Sequence, residues 1–313
     1  MNIRRSTAAA LAVVAGLTLA SCSVDQNSQA EKKSDGRLHI VATTGYLGDA
    51  VKHIAPDADL TVLVGPGGDP HTQGLTTKDT EAVDAADLVV WTSHDMEHKM
   101  MDHFDKMGEK QLPAGEAIPE QDLLPWEEDG KIEGHDPHVW NSPKNWQYVV
   151  TNIGDKLSKV DAKHAEDYKK NAKAYNDDIQ KTNDDVKAMF NKVPKERRVL
   201  ISAHDAFNYL GRDFGIEVHA TDLVSTEGEK SAKDLEDVVN VIVNKKVPTI
   251  FADNTVPKQA VDSLKEKVEA KGGHVEVSKE DLFADSLSES APTDTYLGAF
   301  RHNAEVISKA LAK

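Results

Sequence analysis

The 313 residues suffice for two ordinary domains, and 39% hydrophobic with 29% charged residues is a globular composition, neither disordered nor that of a multi-span membrane protein. The formal net charge of −16 argues against nucleic acid as a partner, because phosphate binding needs clustered Lys and Arg. The single cysteine, Cys22, excludes an intrachain disulfide.

The chain opens with a basic stretch, Asn2-Ile3-Arg4-Arg5. Residues 8–20 are almost entirely Ala, Leu, Val and Gly. That run is short for a bilayer span, which takes about 20 residues, but it suits a signal peptide over residues 1–21. Leu19-Ala20-Ser21-Cys22 sets small residues before a cysteine and resembles the lipobox of bacterial lipoproteins. The resemblance implies that Cys22 becomes the mature N-terminus and carries at least a diacylglyceryl group. Two acyl chains anchor stably where one does not. Residues 22–36 are polar and read as a flexible tether.

From Arg37 onward, short apolar runs alternate with helical patterns. Strands are predicted at Leu38–Ala42, Leu60–Val64 and Leu88–Trp91. Helices are predicted at Tyr46–Ile54, Thr77–Ala86 and Glu97–Met107. Between Pro143 and Lys192 charge is dense and the only glycine is Gly154. Asp161–Asn191 reads as one helix of roughly 45 Å at 1.5 Å per residue. Its apolar stripe is Tyr168, Ala172, Tyr175, Ile179, Val186 and Phe190, and a long, mostly polar helix suits a bridge between lobes. Alternation then resumes, with strands at Arg198–Ile201, Ile216–Ala220, Thr249–Ala252 and His274–Val277. Helices follow at Ala206–Phe214, Ala232–Val243, Val256–Ala270 and Thr295–Leu311. The expected fold is α/β: two lobes of parallel sheet flanked by helices, at 37–160 and 193–313, joined by one long rigid helix at 161–192.

Ligands bind at the carboxyl ends of parallel strands. After the strand ending at Val64 comes Gly65-Pro66-Gly67-Gly68-Asp69-Pro70-His71, where Pro70 stiffens the loop that presents His71. The same tripeptide returns as Asp136-Pro137-His138. His204 stands just past the strand ending at Ile201, and Asp285 follows the last strand. If they converge, His71, His138, His204 and Asp285 make a cation site of three imidazoles and one carboxylate, suited to zinc and also to manganese. Asp69, Asp136 and Asp205 are candidates to orient the rings.

The segments GGDPHTQ (67–73), DPHVWNSP (136–143), HDAFNYLGRDFGIEV (204–218), STEGEKSAKDL (225–235), LFADSLSE (282–289) and TYLGAFRHNAEVI (295–307) resemble, in order, the zinc/manganese solute-binding lipoproteins of bacterial ABC importers. That resemblance implies ligation of one Zn²⁺ or Mn²⁺ by His71, His138, His204 and Asp285, with little lobe movement. It further implies an ABC permease and its ATPase as partners, and a monomer held only by its lipid at the outer face of the cytoplasmic membrane. Two departures stand out: His204 where manganese binders often have Glu, and a single histidine, His135, where zinc scavengers often carry a His-rich loop.

Two rival readings differ in class. His94 and His98 have the i, i+4 spacing of a zinc-protease helix, but Asp95 stands where that chemistry needs Glu, so the pair reads as a solvent-facing helix start and no enzyme is expected. The other is a surface adhesin or interaction protein with a structural metal, for which 5% aromatic residues offer no large exposed patch.

Overall fold

The structure, a computed structural model, describes residues 36–128, 131–221, 232–255 and 258–312. The expected signal segment and Cys22 lie outside these residues, as do 225–231 of the fourth matching segment. No helix among the described residues is long and apolar enough to cross a membrane.

The first sheet is built from β1 (His39–Ala42), β2 (Asp59–Val62), β3 (Leu88–Trp91) and β4 (Gln111–Pro113), in the order β2-β1-β3-β4, all parallel. Register is fixed by pairs such as Ile40 with Leu60 and with Leu88. The connecting helices are α1 (Gly45–Ile54) and α2 (Thr77–Ala85). Thr44 caps the first. Thr76 and Asp79 form a reciprocal capping box on the second, which satisfies N–H groups that the helix cannot pair itself.

The helix expected at Glu97–Met107 contracts to α3 (Met101–Phe104) followed by a 3-10 stretch, Asp105–Lys110. Ser93, His94 and Asp95 all take positive φ, and the buried Glu97 carboxylate folds back to accept the backbone N–H groups of Thr92 and Ser93 and the Thr43 hydroxyl. Those bonds stabilise a turn in place of a helix start. Two elements were not foreseen: strand β4, and an antiparallel hairpin of β5 (Pro125–Glu128) and β6 (Lys131–His135).

A further unforeseen element is α4 (Pro143–Val160), with Pro at its first turn and Ser142 as cap. The long helix α5 runs from Ala165 to Phe190, 26 residues or roughly 39 Å. It starts later than expected because Asp161 ends α4 in a non-helical conformation, with its carboxylate bonded to His164 Nδ1 and the Tyr168 hydroxyl. Its buried stripe contains all six apolar residues predicted for it, together with Thr182. These pack into a core shared with Leu47 and Val51 of α1, Trp146 and Ile153 of α4, and Leu200, Tyr209 and Ile307 from the second half.

The second half contains β7 (Val199–Ser202), α6 (Asn208–Phe214), β8 (Glu217–Ala220), α7 (Ala232–Lys245), β9 (Thr249–Ile250), α8 (Lys258–Ala270), β10 (Glu276–Val277) and α9 (Tyr296–Leu311). β7 pairs with β8 and β9 with β10, both in parallel. Phe251 exchanges backbone hydrogen bonds with Ile201 and Ala203, which sets β9 beside β7. Asp253 and Leu282 extend the parallel pattern by one bridge. The carboxyl ends of β2, β7 and this last bridge carry the loops that matter below.

Candidate metal centre

His71 sits on the loop beyond β2. Asp69 Oδ1 accepts the His71 backbone N–H at 2.9 Å, and Oδ2 accepts the Thr72 hydroxyl at 2.9 Å. The second Asp-Pro-His folds alike: Asp136 Oδ1 accepts the His138 backbone N–H at 3.0 Å. The repeated tripeptide is thus a repeated turn, in which an aspartate carboxylate replaces the backbone acceptor and proline, lacking an N–H, occupies the bend. His204 lies two residues beyond β7, and its carbonyl accepts the Ser202 hydroxyl at 2.9 Å. Asp285 follows the Leu282 bridge, three residues on.

These four residues meet, with one ligand atom from each lying within 4.8 Å of all the others. His138 Nε2 is 3.3 Å from His71 Nε2 and 3.2 Å from His204 Nε2. The Asp285 carboxylate lies 3.0 Å from His204 Nε2, 3.5 Å from His138 Nε2 and 3.6 Å from His71 Nε2. A tetrahedron with bonds of 2.0–2.1 Å has edges of about 3.3–3.4 Å, so this spread matches the donor spacing around zinc. Exposure is 0% for His71 and His138, 2% for Asp285 and 7% for His204, so an ion held there is stripped of nearly all solvent.

The electrostatics point the same way. Burial alone would push the Asp285 carboxyl up, but the His204, His138 and His71 rings hold it far below the usual carboxylate range, so it is ionised. Burial works against a charged His138, yet the Asp136 carboxylate, bonded to Nδ1 at 2.8 Å, and then Asp285 raise the imidazole above its ordinary value. With its Nδ1 proton committed to Asp136, a neutral His138 turns its Nε2 lone pair to the centre.

All four residues singled out in the sequence are therefore brought together. Of the three candidate orienting aspartates, Asp136 reaches a ring, Asp69 holds the His71 backbone, and Asp205 accepts from Asn208 Nδ2 at 2.9 Å. Sequence reasoning missed the ties between loops. Asn303 clamps the backbone of Phe283, accepting its N–H at 2.9 Å and donating to its carbonyl at 2.8 Å. Trp140 Nε1 donates to the Ala284 carbonyl at 2.9 Å, linking the His138 loop to the Asp285 loop. The Ser286 hydroxyl accepts from the Gly67 backbone at 2.9 Å and from Asn254 Nδ2 at 2.8 Å, linking the His71 loop to the same place. Asn141 Nδ2 donates to the Ala206 carbonyl at 2.8 Å. Trp140, Ser286 and Asn303 fall inside the segments that carry the family resemblance, and that was their only signal.

A buried set of three imidazoles and one carboxylate, on loops from both α/β halves, defines a protein that binds a transition-metal ion. The chain belongs to the family described as ZnuA, zinc-uptake complex component A, periplasmic, which matches residues 40–310. It is 33% identical over 306 residues to the manganese-binding lipoprotein MntA of Bacillus subtilis (strain 168), covering 96% of this chain and 98% of that one. It is 35% identical over 308 residues to the zinc-binding protein TroA of Treponema pallidum (strain Nichols), covering 97% and 96%. The solved structure of the periplasmic zinc-binding TroA superposes with a TM-score of 0.84 at 35% identity, over 89% of this chain and all of that one.

Proposed function

We propose that this chain is an extracytoplasmic solute-binding lipoprotein that captures one zinc or manganese ion between His71, His138, His204 and Asp285 and delivers it to an ABC permease with its ATPase. The observation that carries the reading is the convergence of four buried ligand atoms within 4.8 Å. Three imidazoles and a carboxylate stripped of water are costly to hold together, and a divalent cation offsets that cost. The names of MntA and TroA, one a manganese-binding lipoprotein and the other a zinc-binding protein, support the same reading. Imidazole-rich sites hold zinc more tightly than manganese, so the physiological cargo is set by metal availability as much as by affinity. Neutral imidazoles are required, so affinity falls as pH drops, starting above the ordinary imidazole value because the Asp136 carboxylate, against burial, raises His138.

In this proposal the 161–192 segment, with α5 at its centre, joins the lobes at 37–160 and 193–313, the 22–36 tether leads to lipid on Cys22, and the protein works as a monomer at the outer face of the cytoplasmic membrane. The lipobox motif and the word lipoprotein in the MntA name support the anchor.

The test is to strip metal from the protein and titrate zinc and manganese into wild type and the His71→Ala, His138→Ala, His204→Ala and Asp285→Ala variants. One equivalent in wild type, strongly weakened in each variant, is expected. Binding indifferent to all four changes would show that the fold serves another ligand.

A further inference from the structure

A second cluster of histidines, which the metal centre leaves unused, surrounds a cleft of about 320 Å³ lined by His94, His98 and His135 with Asp95 and Glu133. Its wall includes Pro137, the middle residue of the loop that presents His138. The His94 and His135 rings lie 5.5 Å apart between centroids at 79°. At the metal centre the corresponding ring pairs are 5.1–5.8 Å apart at 53–76°. The outer pair therefore has a ring spacing and tilt close to those within the metal centre.

Each outer ring leaves one nitrogen available. His94 Nε2 is buried without a hydrogen-bond partner. Burial also lowers its imidazole below the ordinary value, which favours the neutral ring, the form that can bind a metal. His135 Nε2 lies 3.0 Å from Glu120 Oε1. When it donates there, Nδ1 is left as the ligand atom. A carboxylate on the second ring nitrogen is a usual partner of a metal-bound imidazole. Asp95 Oδ2 reaches within 3.8 Å of the space a side chain at Gly134 would fill, so a carboxylate lies against the same hairpin strand.

The backbone adds an independent observation. Ser93, His94 and Asp95 hold φ of 76°, 54° and 61°, three consecutive left-handed residues without a glycine. Such conformations are costly and concentrate at functional sites. Here they turn His94 inward, in place of the solvent-facing helix start expected from the sequence.

We propose that this cleft is a second, weaker site for a divalent transition-metal ion, with His94 Nε2 and His135 Nδ1 as nitrogen ligands and Asp95, Glu133 and His98 as the groups that close around the ion. It is weaker because the buried centre is the one group of three or more such residues already drawn together among the described residues. The carboxylates of the cleft must move to bind.

The test uses the metal-stripped full chain dialysed against graded zinc chloride, with bound zinc counted. Wild type is expected to take up one tight equivalent and a second with Kd about 100-fold or more weaker, the fold-change set by these outer-shell and rearrangement effects. His94→Asn with His135→Gln should lose the second equivalent and keep the first, Asn being chosen because it tolerates left-handed backbone. His71→Ala with Asp285→Ala should do the reverse, so a failure of the proposed function and a failure of this site give different patterns. In wild type, ring resonances of His94 and His135 should shift only as the second equivalent binds. A single equivalent in wild type, a second that survives His94→Asn/His135→Gln, or unmoved His94 and His135 resonances would overturn the proposal.

Discussion

Replacing Asp136 by Asn tests how the metal centre is set. Asp136 is 1% exposed, and its Oδ1 accepts both the His138 backbone N–H at 3.0 Å and the His138 ring at 2.8 Å. Its Oδ2 accepts Asn208 Nδ2 at 3.1 Å. In Asp136→Asn one oxygen becomes an NH₂ group. The less costly orientation keeps the oxygen on His138 and sets the new donor against Asn208, which is itself bonded to Asp205. The ring bond then loses its charge assistance, about 1 kcal/mol, and His138 Nε2 becomes a weaker base. Together these predict a loss of roughly 10–100-fold in zinc affinity, or about 1.4–2.7 kcal/mol. The assay is zinc competition against a chelating indicator, with thermal unfolding of the metal-free protein as the control for folding. A variant that folds normally and binds zinc within about twofold of wild type would refute the argument that Asp136 fixes the ligand nitrogen.

Three further perturbations probe the scaffold. A Cβ at Gly154 of α4 would lie 2.8 Å from Cβ of Ala172 on α5, so Gly154→Ala should push the two helices apart and cost about 1–3 kcal/mol in urea unfolding; an unchanged midpoint would mean that the helices are free to shift. Asn303→Ala leaves the part-buried N–H and carbonyl of Phe283 without this partner and should cost about 1–3 kcal/mol, with a measurable loss of zinc affinity because Asp285 lies two residues on; full stability and affinity would contradict the clamp. Burial raises the Asp49 carboxyl above its usual value, although the Tyr175 hydroxyl, His53 and the Tyr296 N–H pull it back. The charged form is therefore penalised in the folded state. Asp49 takes stability away as pH rises from the unfolded value of about 3.9 toward the higher folded one. Asp49→Asn should gain on wild type across that window in unfolding measured at acid and neutral pH, and a difference that is flat with pH would refute the assignment.

What the sequence determined follows from local pattern. Apolar runs of four or five residues, separated by helical periodicity, placed β1, β2, β3, β7 and β8 within a few residues; burial of β1, β3 and β7 on both faces leaves a readable apolar stretch, while β2 and β8 are more exposed. The stripe from Tyr168 to Phe190 was legible for the same reason: one face of α5 is buried from end to end. The four ligand candidates were legible because histidines and an aspartate stood just past strands, and because Asp-Pro-His occurs twice.

The tertiary structure decided the rest. Strand β4 has three residues and shows its character only through pairing with β3, and the β5–β6 hairpin has an irregular register with no alternation to announce it. The 97–107 segment has helical spacing, yet the buried bonds of Glu97 outweigh that preference and turn the chain instead. Convergence of His71, His138, His204 and Asp285 depends on parallel registers in two separate sheets and on ties such as Trp140 to Ala284 and Gly67 to Ser286, which join residues 144 and 219 positions apart. Sequence can place a ligand at the end of a strand, but which nitrogen it presents, and to what, is set by contacts made across the fold.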